Sequence, residues 1–253
     1  MASTHHNEPL IPNSYEKIFD VRGAKYQDAM ALFPATRNLE FLRAFGQLDT
    51  ATVRSVLDIP SGGSYLQGFF PEAELSAVEF TGEFQSSANT VKILDIDSFE
   101  LPDTTYDLAV TIAALHHIEN RKAFVTKVFA AIRSGGYYCI ADVIEQSRIA
   151  AFLDGFVGRH NGTGHEGMFL AADLEDNLHW LPHGKIIEHE IKPCPWRFNQ
   201  AGDLTLFVRK LFSLSGVTDE EILHTVDREI GITRFADGLQ IDWELLYIVL
   251  QKP

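Results

Sequence analysis

The spacing of hydrophobic residues changes twice along the chain. Between residues 15 and 48, apolar side chains recur every three or four positions, a spacing that predicts helices. From residue 53 to 145, short apolar runs rich in β-branched residues alternate with turn clusters, which is typical of βαβ units and a parallel sheet. From residue 146 onward, helical patterns dominate until the closing apolar run WELLYIVLQK, which predicts a strand.

Within this frame the individual elements can be predicted. The middle region predicts five strands, in VRSVLDI, ELSAVEF, VKILDI, YDLAVTIAAL and GYYCIADVI. PSGGS predicts a tight turn leading into a helix, and KAFVTKVFAAIRSGG predicts an amphipathic helix that stops at Gly135 and Gly136. Gly23 and Pro34 are expected to interrupt the first helical region. Further helices are expected in IAAFLDGFVGRH, in LAADLEDNLHWL and around residues 203–213 and 218–230, and GKIIEHEIKPCPWRF is expected to form a sixth strand.

These elements predict one α/β domain over residues 1–253, with a Rossmann-like, doubly wound sheet. We expect seven mostly parallel strands, an antiparallel last strand and a helical cover. Residues 1–50 would form N-terminal helices, and residues 51–145 the ligand-binding core. Residues 146–240 would supply substrate-side helices and strand six, and residues 241–253 the final strand.

Composition narrows the class of partner. The formal net charge of −14 disfavours nucleic acid and anionic membrane surfaces, so we expect a small-molecule substrate. No run approaches about 18 uninterrupted apolar residues, and the first residues have neither a basic nor an apolar signal region. Two scattered cysteines make no disulfide framework, so the sequence predicts a cytoplasmic protein. A monomer and a homodimer are both compatible with it.

The turn after the first strand is the first candidate ligand site. Asp58 ends that strand, and Gly62 and Gly63 allow the backbone to pass close to a ligand. Glu79 ends the second strand 21 residues later, where an acid accepts hydrogen bonds from ribose hydroxyls. The turn lacks the G-x-G-x-x-G of nicotinamide dinucleotide sites and the Gly-Lys-Ser/Thr of phosphate-binding loops, so a ligand without a pyrophosphate suits it better.

Four segments, in order, resemble the motifs of class I S-adenosylmethionine (SAM)-dependent methyltransferases. They are VLDIPSGGSYL, AVEF, DIDSFELPDTTYDLAVTIAALHHI and VFAAIRSGGYYCIADV, within about Val53–Val143. The likeness is to the small-molecule group known as methyltransferase type 11, which includes quinone-biosynthesis enzymes. It implies SAM as cofactor and S-adenosylhomocysteine (SAH) as product. The family loop usually reads D-x-G-x-G-x-G, whereas here Pro60 and Ser64 replace the first and last glycines.

The resemblance also implies the cofactor contacts. Asp58 and the loop would face the methionine part of SAM, Glu79 the ribose, and Asp97 with the Ser98 backbone the adenine, with Asp95 as a rival for Asp97. The predicted cofactor residues are Asp58, Pro60, Ser61, Gly62, Gly63, Glu79, Asp97, Ser98 and Ala113.

Candidate acceptor residues come from three regions. Of the pair His116 and His117 after the fourth strand, we predict that His116 is catalytic and lines the acceptor pocket, although a structural role is equally open. His165, in a glycine-rich loop, is the second predicted catalytic residue. The predicted substrate-binding residues are His160, Glu166, Arg22, Tyr26 and Trp196, each with core packing or solvation as the alternative. No H-E-x-x-H pattern or tight cluster is present, so the sequence predicts no metal.

The predicted function is transfer of a methyl group from SAM to an O, N or C atom of a small organic acceptor. A SAM- or SAH-binding sensor or scaffold that transfers no methyl group is the first alternative. A nicotinamide-dependent oxidoreductase is the second, disfavoured by the missing third glycine.

Overall fold

A computed structural model describes residues 15–84 and 91–253 of the chain. Its strands are β1 (Ser55–Asp58), β2 (Glu74–Glu79), β3 (Val91–Ile93), β4 (Tyr106–Ile112), β5 (Ile132–Asp142), β6 (Lys185–Pro193), β7 (Trp196–Phe198), β8 (Ile232–Phe235), β9 (Gly238–Ile241) and β10 (Glu244–Gln251). Its α-helices are α1 (Tyr15–Leu32), α2 (Asn38–Ala44), α3 (Arg121–Ala130), α4 (Arg148–Phe152), α5 (Gly158–His160), α6 (Leu174–Asn177), α7 (Ala201–Leu211) and α8 (Asp219–Glu229). A π-helical turn, Leu153–Val157, joins α4 to α5.

The main sheet has seven strands in the order β3-β2-β1-β4-β5-β10-β6. The strands from β1 to β5 pair in parallel, whereas β10 runs antiparallel to both of its neighbours. The predicted Rossmann-like sheet with an antiparallel last strand is therefore confirmed. The strand order reverses between β1 and β4, and in such sheets ligands bind beyond the carboxyl ends of the strands at that point.

A second sheet of three strands, β7-β9-β8, was not predicted. The single strand expected over residues 184–198 is wrong, because it is divided into β6 and β7. Pro193 and Pro195 lack the N–H groups that would continue a ladder across the junction. β8 and β9 form an antiparallel hairpin inside the region predicted to hold only helices and strand six.

Three predicted helices are shorter than expected. The turn after β1 leads only into a single 3-10 turn, Leu66–Gly68, and the helix expected in LAADLEDNLHWL is the one turn of α6. α3 ends at Ala130, because the strand β5 begins at Ile132 and includes both glycines that were expected to stop the helix. At Gly136 a Cβ would lie 2.8 Å from the Asp107 carbonyl oxygen, so close strand packing needs glycine there.

Alternating residues of the strands feed two apolar cores, one on each face of the main sheet. In β10, Leu245, Tyr247 and Val249 pack on the face covered by α7 and α8, together with part of the N-terminal helices. Leu246 and Ile248 pack on the opposite face against α3. The sheet is thus buried on both sides, and its carboxyl edge remains as the place for a ligand.

Helix α1 crosses that edge. Its first turns contribute Tyr15 and Phe19 to one core, whereas Ala29 and Met30 near its end belong to the other. The expected interruption at Gly23 is wrong, because α1 continues through it. A Cβ at Gly23 would lie 2.6 Å from the Cβ of Glu83, so this glycine permits close contact with the turn after β2.

Candidate active site

The carboxyl ends of β1 and β4, with helix α1 across them, enclose a small space, here called the edge cavity. It is lined by Tyr15, Phe19, Tyr26, Arg37, Phe41, Asp58, Pro60, Ser61, Gly62, Tyr65, Phe84, Val110, Ile112, Ala113 and Ala114. Gly62 has φ +56° and Gly63 φ +108°, conformations that favour glycine and turn the loop sharply past the cavity. The Ile59–Pro60 peptide bond is cis.

Two carboxylates meet at this cavity. Glu79 is fully buried, and its Oε1 accepts a hydrogen bond from the Tyr15 hydroxyl at 2.7 Å and from the Gly62 N–H at 3.4 Å. Burial raises the pKa of Glu79 to about 7, although these hydrogen bonds lower it. Burial and the neighbouring Glu79 raise the pKa of Asp58 well above its usual range. A cationic or hydroxyl-bearing ligand would stabilise the ionised form of both groups.

Two buried oxygens at the edge cavity have no hydrogen-bond partner among the described residues. They are Oδ2 of Asp58 and Oγ of Ser61. Buried acceptors are normally paired, so these two atoms point to a ligand that donates hydrogen bonds. Asp58, Pro60, Ser61, Gly62, Glu79 and Ala113 all lie around this space or border it, whereas Gly63 is turned towards the Tyr65 ring.

A second space, the side cleft, opens between the start of α1, the turn after β3 and the start of α3. It measures about 570 Å³ and includes Tyr15, Asp97, Phe99 and Asn120 among its walls. Asp97 faces this cleft. Asp95 does not line it, because its Oδ1 accepts the backbone N–H groups of Asp97 and Ser98 at 2.8 and 3.1 Å. The Ser98 N–H is therefore already engaged within its own turn.

A third space, the histidine pocket, lies on the other side of Ala113, which borders both it and the edge cavity. The residues around it are Phe19, Arg22, Tyr26, Arg37, Ala113, His116, His117, Val143, Leu153, His165, Trp196, Leu211, Phe212 and Trp243. They come from the N-terminal helices, the ends of β4 and β5, the loop after α5 and the helical cover. Five residues predicted for the acceptor side meet here: Arg22, Tyr26, His116, His165 and Trp196.

His116 is held by the end of β5. Its Nδ1 lies 2.6 Å from Oδ1 of Asp142, and its backbone N–H donates to Oδ2 of the same carboxylate at 3.0 Å. Burial alone would raise the pKa of Asp142, but the contacts with His116 and the Val143 N–H lower it overall. Asp142 is therefore an ionised carboxylate that fixes the ring, and it leaves Nε2 of His116 free.

His165 reaches the pocket because its loop folds back along the sheet edge. The Met168 N–H donates to the His116 carbonyl at 2.9 Å, which brings the two histidines side by side. Nδ1 of His165 lies 2.7 Å from Oδ1 of Asp154, in the π-helical turn. Burial lowers the pKa of His165 to about 4, against the effect of Asp154, so the ring is neutral near pH 7.

His117 completes a set of three buried imidazoles. Its ring centre lies 4.0 Å from that of His116 and 5.1 Å from that of His165. Its Nδ1 has no hydrogen-bond partner among the described residues. Burial and the neighbouring histidines lower its pKa well below the usual range.

Arg22 is a buried cation that has no counter-ion among residues 15–84 and 91–253. Only 4% of its surface is exposed, and the one hydrogen bond of its guanidinium among the described residues is to the Leu211 carbonyl at 3.4 Å. Nε and Nη1 of Arg22 have no hydrogen-bond partner in the described part of the chain. Burial lowers the pKa of Arg22 to about 10, so it remains protonated at pH 7. A buried unpaired charge is costly unless a ligand neutralises it.

Tyr26 lines both the edge cavity and the histidine pocket, and Trp196 lines the histidine pocket. Arg37 donates to the Tyr26 hydroxyl and forms an ion pair with the fully buried Glu40, which also accepts the Trp196 indole N–H. This network fixes both aromatic rings and satisfies their polar atoms. Both predicted residues therefore line the site. The Tyr26 hydroxyl and the Trp196 indole N–H are engaged in structural hydrogen bonds.

Two predicted substrate residues lie elsewhere. Glu166 is exposed, and the His160 ring packs on Phe156 with its carbonyl bonded to Ser215 N–H. Neither lines the histidine pocket, because the loop between α5 and residue 170 turns only His165 inwards. Sequence reasoning also overlooked several site residues: Arg37, Glu40, Asp142 and Asp154. Asp142 follows the pattern of an acid at a strand end, but nothing in the local sequence singles out Asp154.

The edge cavity and the histidine pocket are narrow in this conformation. They leave about 40 Å³ and about 60 Å³ of free space, whereas small-molecule sites usually measure at least about 300 Å³. Tyr15, Phe19 and Tyr26 of α1 occupy much of the space, and the Tyr15 hydroxyl takes a hydrogen-bonding position on Glu79. A ligand of ordinary small-molecule size therefore needs more room than either space leaves in this conformation.

Comparison with known proteins agrees with this geometry. Residues 64–140 match the family described as a methyltransferase domain. No curated protein sequence matches the chain significantly. Among solved structures, a SAM-dependent methyltransferase from Thermotoga maritima is similar with a TM-score of 0.60 and 11% identity, covering 94% of this chain and 100% of its own.

Two further neighbours show the breadth of the fold. Coclaurine N-methyltransferase bound to N-methylheliamine and SAH has a TM-score of 0.53 and 15% identity, over 89% of this chain and 71% of its own. A 4+2 cyclase, SpnF, has a TM-score of 0.56 and 12% identity, over 97% and 98%. These likenesses concern the fold.

The matched segment begins at residue 64, directly after the glycines of the loop that follows β1. It contains Glu79 at the end of β2 and the histidines after β4, which the fold places at its ligand edge. The chain therefore shares a methyltransferase-domain match over residues 64–140, and the solved structures share its Rossmann-like fold. Among the described residues, no helix has the length and apolar character needed to cross a membrane.

Proposed function

We propose that the protein binds SAM along the edge cavity and side cleft and transfers its methyl group to an O, N or C atom of a small organic acceptor in the histidine pocket. The observation that carries this proposal is the pair of unpartnered oxygens on Asp58 and Ser61, beside the buried carboxyl of Glu79. This donor-poor, acid-rich edge suits a ligand that brings an ammonium group, a sulfonium charge and two ribose hydroxyls.

Each part of SAM finds a chemically suitable group. Asp58 and Ser61 would accept hydrogen bonds from the amino group, and Glu79 would accept them from the ribose in place of Tyr15. Asp97, which faces the side cleft, would bind the adenine amino group. Asp95 is less suitable, because its carboxylate is occupied by backbone N–H groups.

When bound, SAM supplies an electrophilic methyl group. An electron pair of the acceptor would form the bond to the methyl carbon as the methyl–sulfur bond breaks, and the electrons of the broken bond would remain on sulfur to leave SAH. An acceptor that carries a proton on the reacting atom would lose it to a base or to water. The chain's task is to orient the acceptor and exclude water. Ala113 borders both the edge cavity and the histidine pocket, so we place the transfer across it.

The histidine pocket favours an acceptor of a particular kind. Its walls are mainly aromatic and aliphatic, and Arg22 is a buried cation without a counter-ion among the residues that the structure describes. An aromatic or aliphatic acceptor that carries a carboxylate or another anionic group would satisfy both features. His116 and His165 face the same space, where they would contact the acceptor's reacting end.

The test is turnover. The full-length protein is incubated with SAM carrying a labelled methyl group and a panel of small phenols, amines and carbon nucleophiles, with and without a carboxylate. We expect SAH and methylated product from at least one acceptor, with the carboxylate-bearing member of a matched pair preferred.

Two outcomes would count against the proposal. SAM binding with no SAH from the whole panel would favour the sensor or scaffold alternative. A rearranged or cyclised acceptor without SAH would indicate other chemistry on this fold, as in the neighbour named a cyclase.

A further inference from the structure

His116 and His165 are placed beside the acceptor above, but that role does not explain why they group tightly with a third buried histidine, His117. One ring nitrogen of each of His116, His117 and His165 lies within 4.8 Å of the other two. His165 lies 49 positions after His116 and 48 after His117, so no local motif reveals the cluster. The fold supplies the tight grouping that the sequence lacks.

From this grouping we infer that His116, His117 and His165 bind one divalent first-row transition metal ion, of the zinc type, with an open coordination position facing the histidine pocket. Three histidine ligands and one exchangeable position are the arrangement of catalytic rather than structural zinc sites. Neutral imidazole is a ligand suited to zinc, copper, iron and nickel.

The partners of the rings support a metal site over ordinary packing. Metal-binding histidines commonly donate their second ring N–H to a carboxylate, which orients the ring and makes the free nitrogen a better ligand. His116 has Asp142 in this position at 2.6 Å, and His165 has Asp154 at 2.7 Å. In both rings the carboxylate takes Nδ1 and leaves Nε2 for a ligand.

His117 provides the independent sign of a missing partner. It is 5% exposed, and its Nδ1 has no hydrogen-bond partner among the described residues. A neutral ring packed only for its shape would leave that polar atom unsatisfied, which is rare in folded proteins. A metal ion within the cluster would account for the approach of three polar rings.

The geometry requires only a small adjustment. Zinc–nitrogen distances of about 2.0–2.1 Å in a tetrahedral site place the nitrogens about 3.4 Å apart. The observed limit of 4.8 Å therefore exceeds the bound geometry by roughly 1.4 Å, a distance that side-chain rotation covers. The turn Leu115–His117 and the loop containing His165 are both outside the strands, where such movement is least hindered.

The charges around the cluster also decide what else would bind. Asp142 and Asp154 offset the charge of a divalent ion, but Arg22 adds a buried positive charge to the same pocket. The open coordination position should therefore be filled by an anionic oxygen that Arg22 also contacts. This extension rests on the proposed function, because it assigns that oxygen to the methyl acceptor.

Metal titration of the full-length protein tests the inference. The protein is stripped with a chelator, dialysed and titrated with Zn²⁺ by calorimetry and with Co²⁺ by visible absorbance. We expect one equivalent to bind and a Co²⁺ spectrum of low coordination number. His117→Ala and His165→Ala should each weaken binding at least about 100-fold, and Asp154→Asn about 10–100-fold.

His189→Ala is the matched control, because His189 lies in β6 at the far edge of the main sheet. It should leave metal affinity unchanged, and circular dichroism should show every variant folded. Absence of a one-equivalent site in the stripped wild type, or equal affinity in the wild type and both histidine variants, would overturn the inference.

SAH binding is measured on the same samples. Intact SAH binding without metal binding would reject the metal site alone, and metal binding without SAH binding would reject the proposed function alone.

Discussion

The edge cavity and the histidine pocket share Ala113 as a wall, yet the buried ionisable groups around them differ: carboxyls at the first, an arginine and histidines at the second. At the edge cavity, the carboxyls of Asp58 and Glu79 are buried with pKa values raised by desolvation. In the histidine pocket, desolvation instead lowers the pKa of Arg22 and of two histidines. Among the described residues, the unpartnered charged group is the acid Asp58 at the edge cavity and the cation Arg22 in the histidine pocket.

This difference indicates how the cofactor and the acceptor would each be directed to its own site. A cationic cofactor relieves the buried acids, whereas it would be repelled by Arg22. An anionic acceptor has the reverse preference. The contrast also separates the effects of mutation: changes at the edge cavity should act on cofactor binding, and changes in the histidine pocket on turnover.

The largest expected effect is on the acceptor side. His165→Ala should lower kcat about 100-fold, or roughly 2.7 kcal/mol, while the Kd for SAH stays within about twofold. His160→Ala is its control, because the His160 ring packs on Phe156 away from the pocket. Steady-state kinetics and calorimetry on both variants provide the measurement, and equal losses of turnover in the two would remove the special role of His165.

On the cofactor side, Glu79→Ala should weaken SAM binding by about 1.5–3 kcal/mol, the scale of a lost charge-assisted hydrogen bond. Glu74→Ala is the matched control, since Glu74 is exposed at the other end of the same strand. Calorimetric titration of both variants measures the difference. An unchanged Kd in Glu79→Ala would mean that the ribose lies elsewhere.

Arg22→Met should separate stability from activity. Because the guanidinium is buried, protonated and without a counter-ion among the described residues, its removal should raise the free energy of unfolding by roughly 1–2 kcal/mol. Turnover of an anionic acceptor should fall. Lys25→Met, on the same helix with its Nζ on Ser213, should change stability by less than about 0.5 kcal/mol. Chemical denaturation checks the sign, and a destabilised Arg22→Met would show that the cation stabilises the empty pocket.

The smallest expected effect is a pH dependence of SAM binding. Without ligand, Glu79 keeps its proton up to a pKa of about 7, facing Tyr15 and Asp58; a bound cation favours its ionised form. Binding therefore releases a proton, and affinity should rise by up to about tenfold from pH 6 to pH 8. Calorimetry in buffers of different ionisation enthalpy detects that proton. Glu79→Gln should make SAM affinity nearly independent of pH. A SAM affinity that is higher at pH 6 than at pH 8 would contradict the prediction.

The edge cavity was also the more predictable region from sequence. Asp58, Gly62 and Glu79 stand at strand ends that periodicity locates, so topology alone brings them together. Asp97 was chosen over Asp95 only by resemblance, and the structure adds the physical difference that Asp95 caps its own turn. The positions of these residues relative to the strand ends can be read directly from the sequence.

The histidine pocket depends on distant contacts that no local pattern encodes. His165 faces inwards while Glu166 is exposed, because the loop bonds back to His116 through Met168. Asp154 acquires its position from the π-helical turn, which has no distinctive sequence. The hairpin β8–β9 did have a local signal in its Asp237–Gly238 pair, which helical periodicity in the preceding residues obscured.

Calorimetric titration of the wild-type protein with SAM, SAH and NAD tests the central claim most directly. We expect SAM and SAH each to bind at one site with micromolar affinity, and NAD to show no binding. Binding of NAD without SAM or SAH would contradict the assignment of the edge cavity to a methyl-donor cofactor.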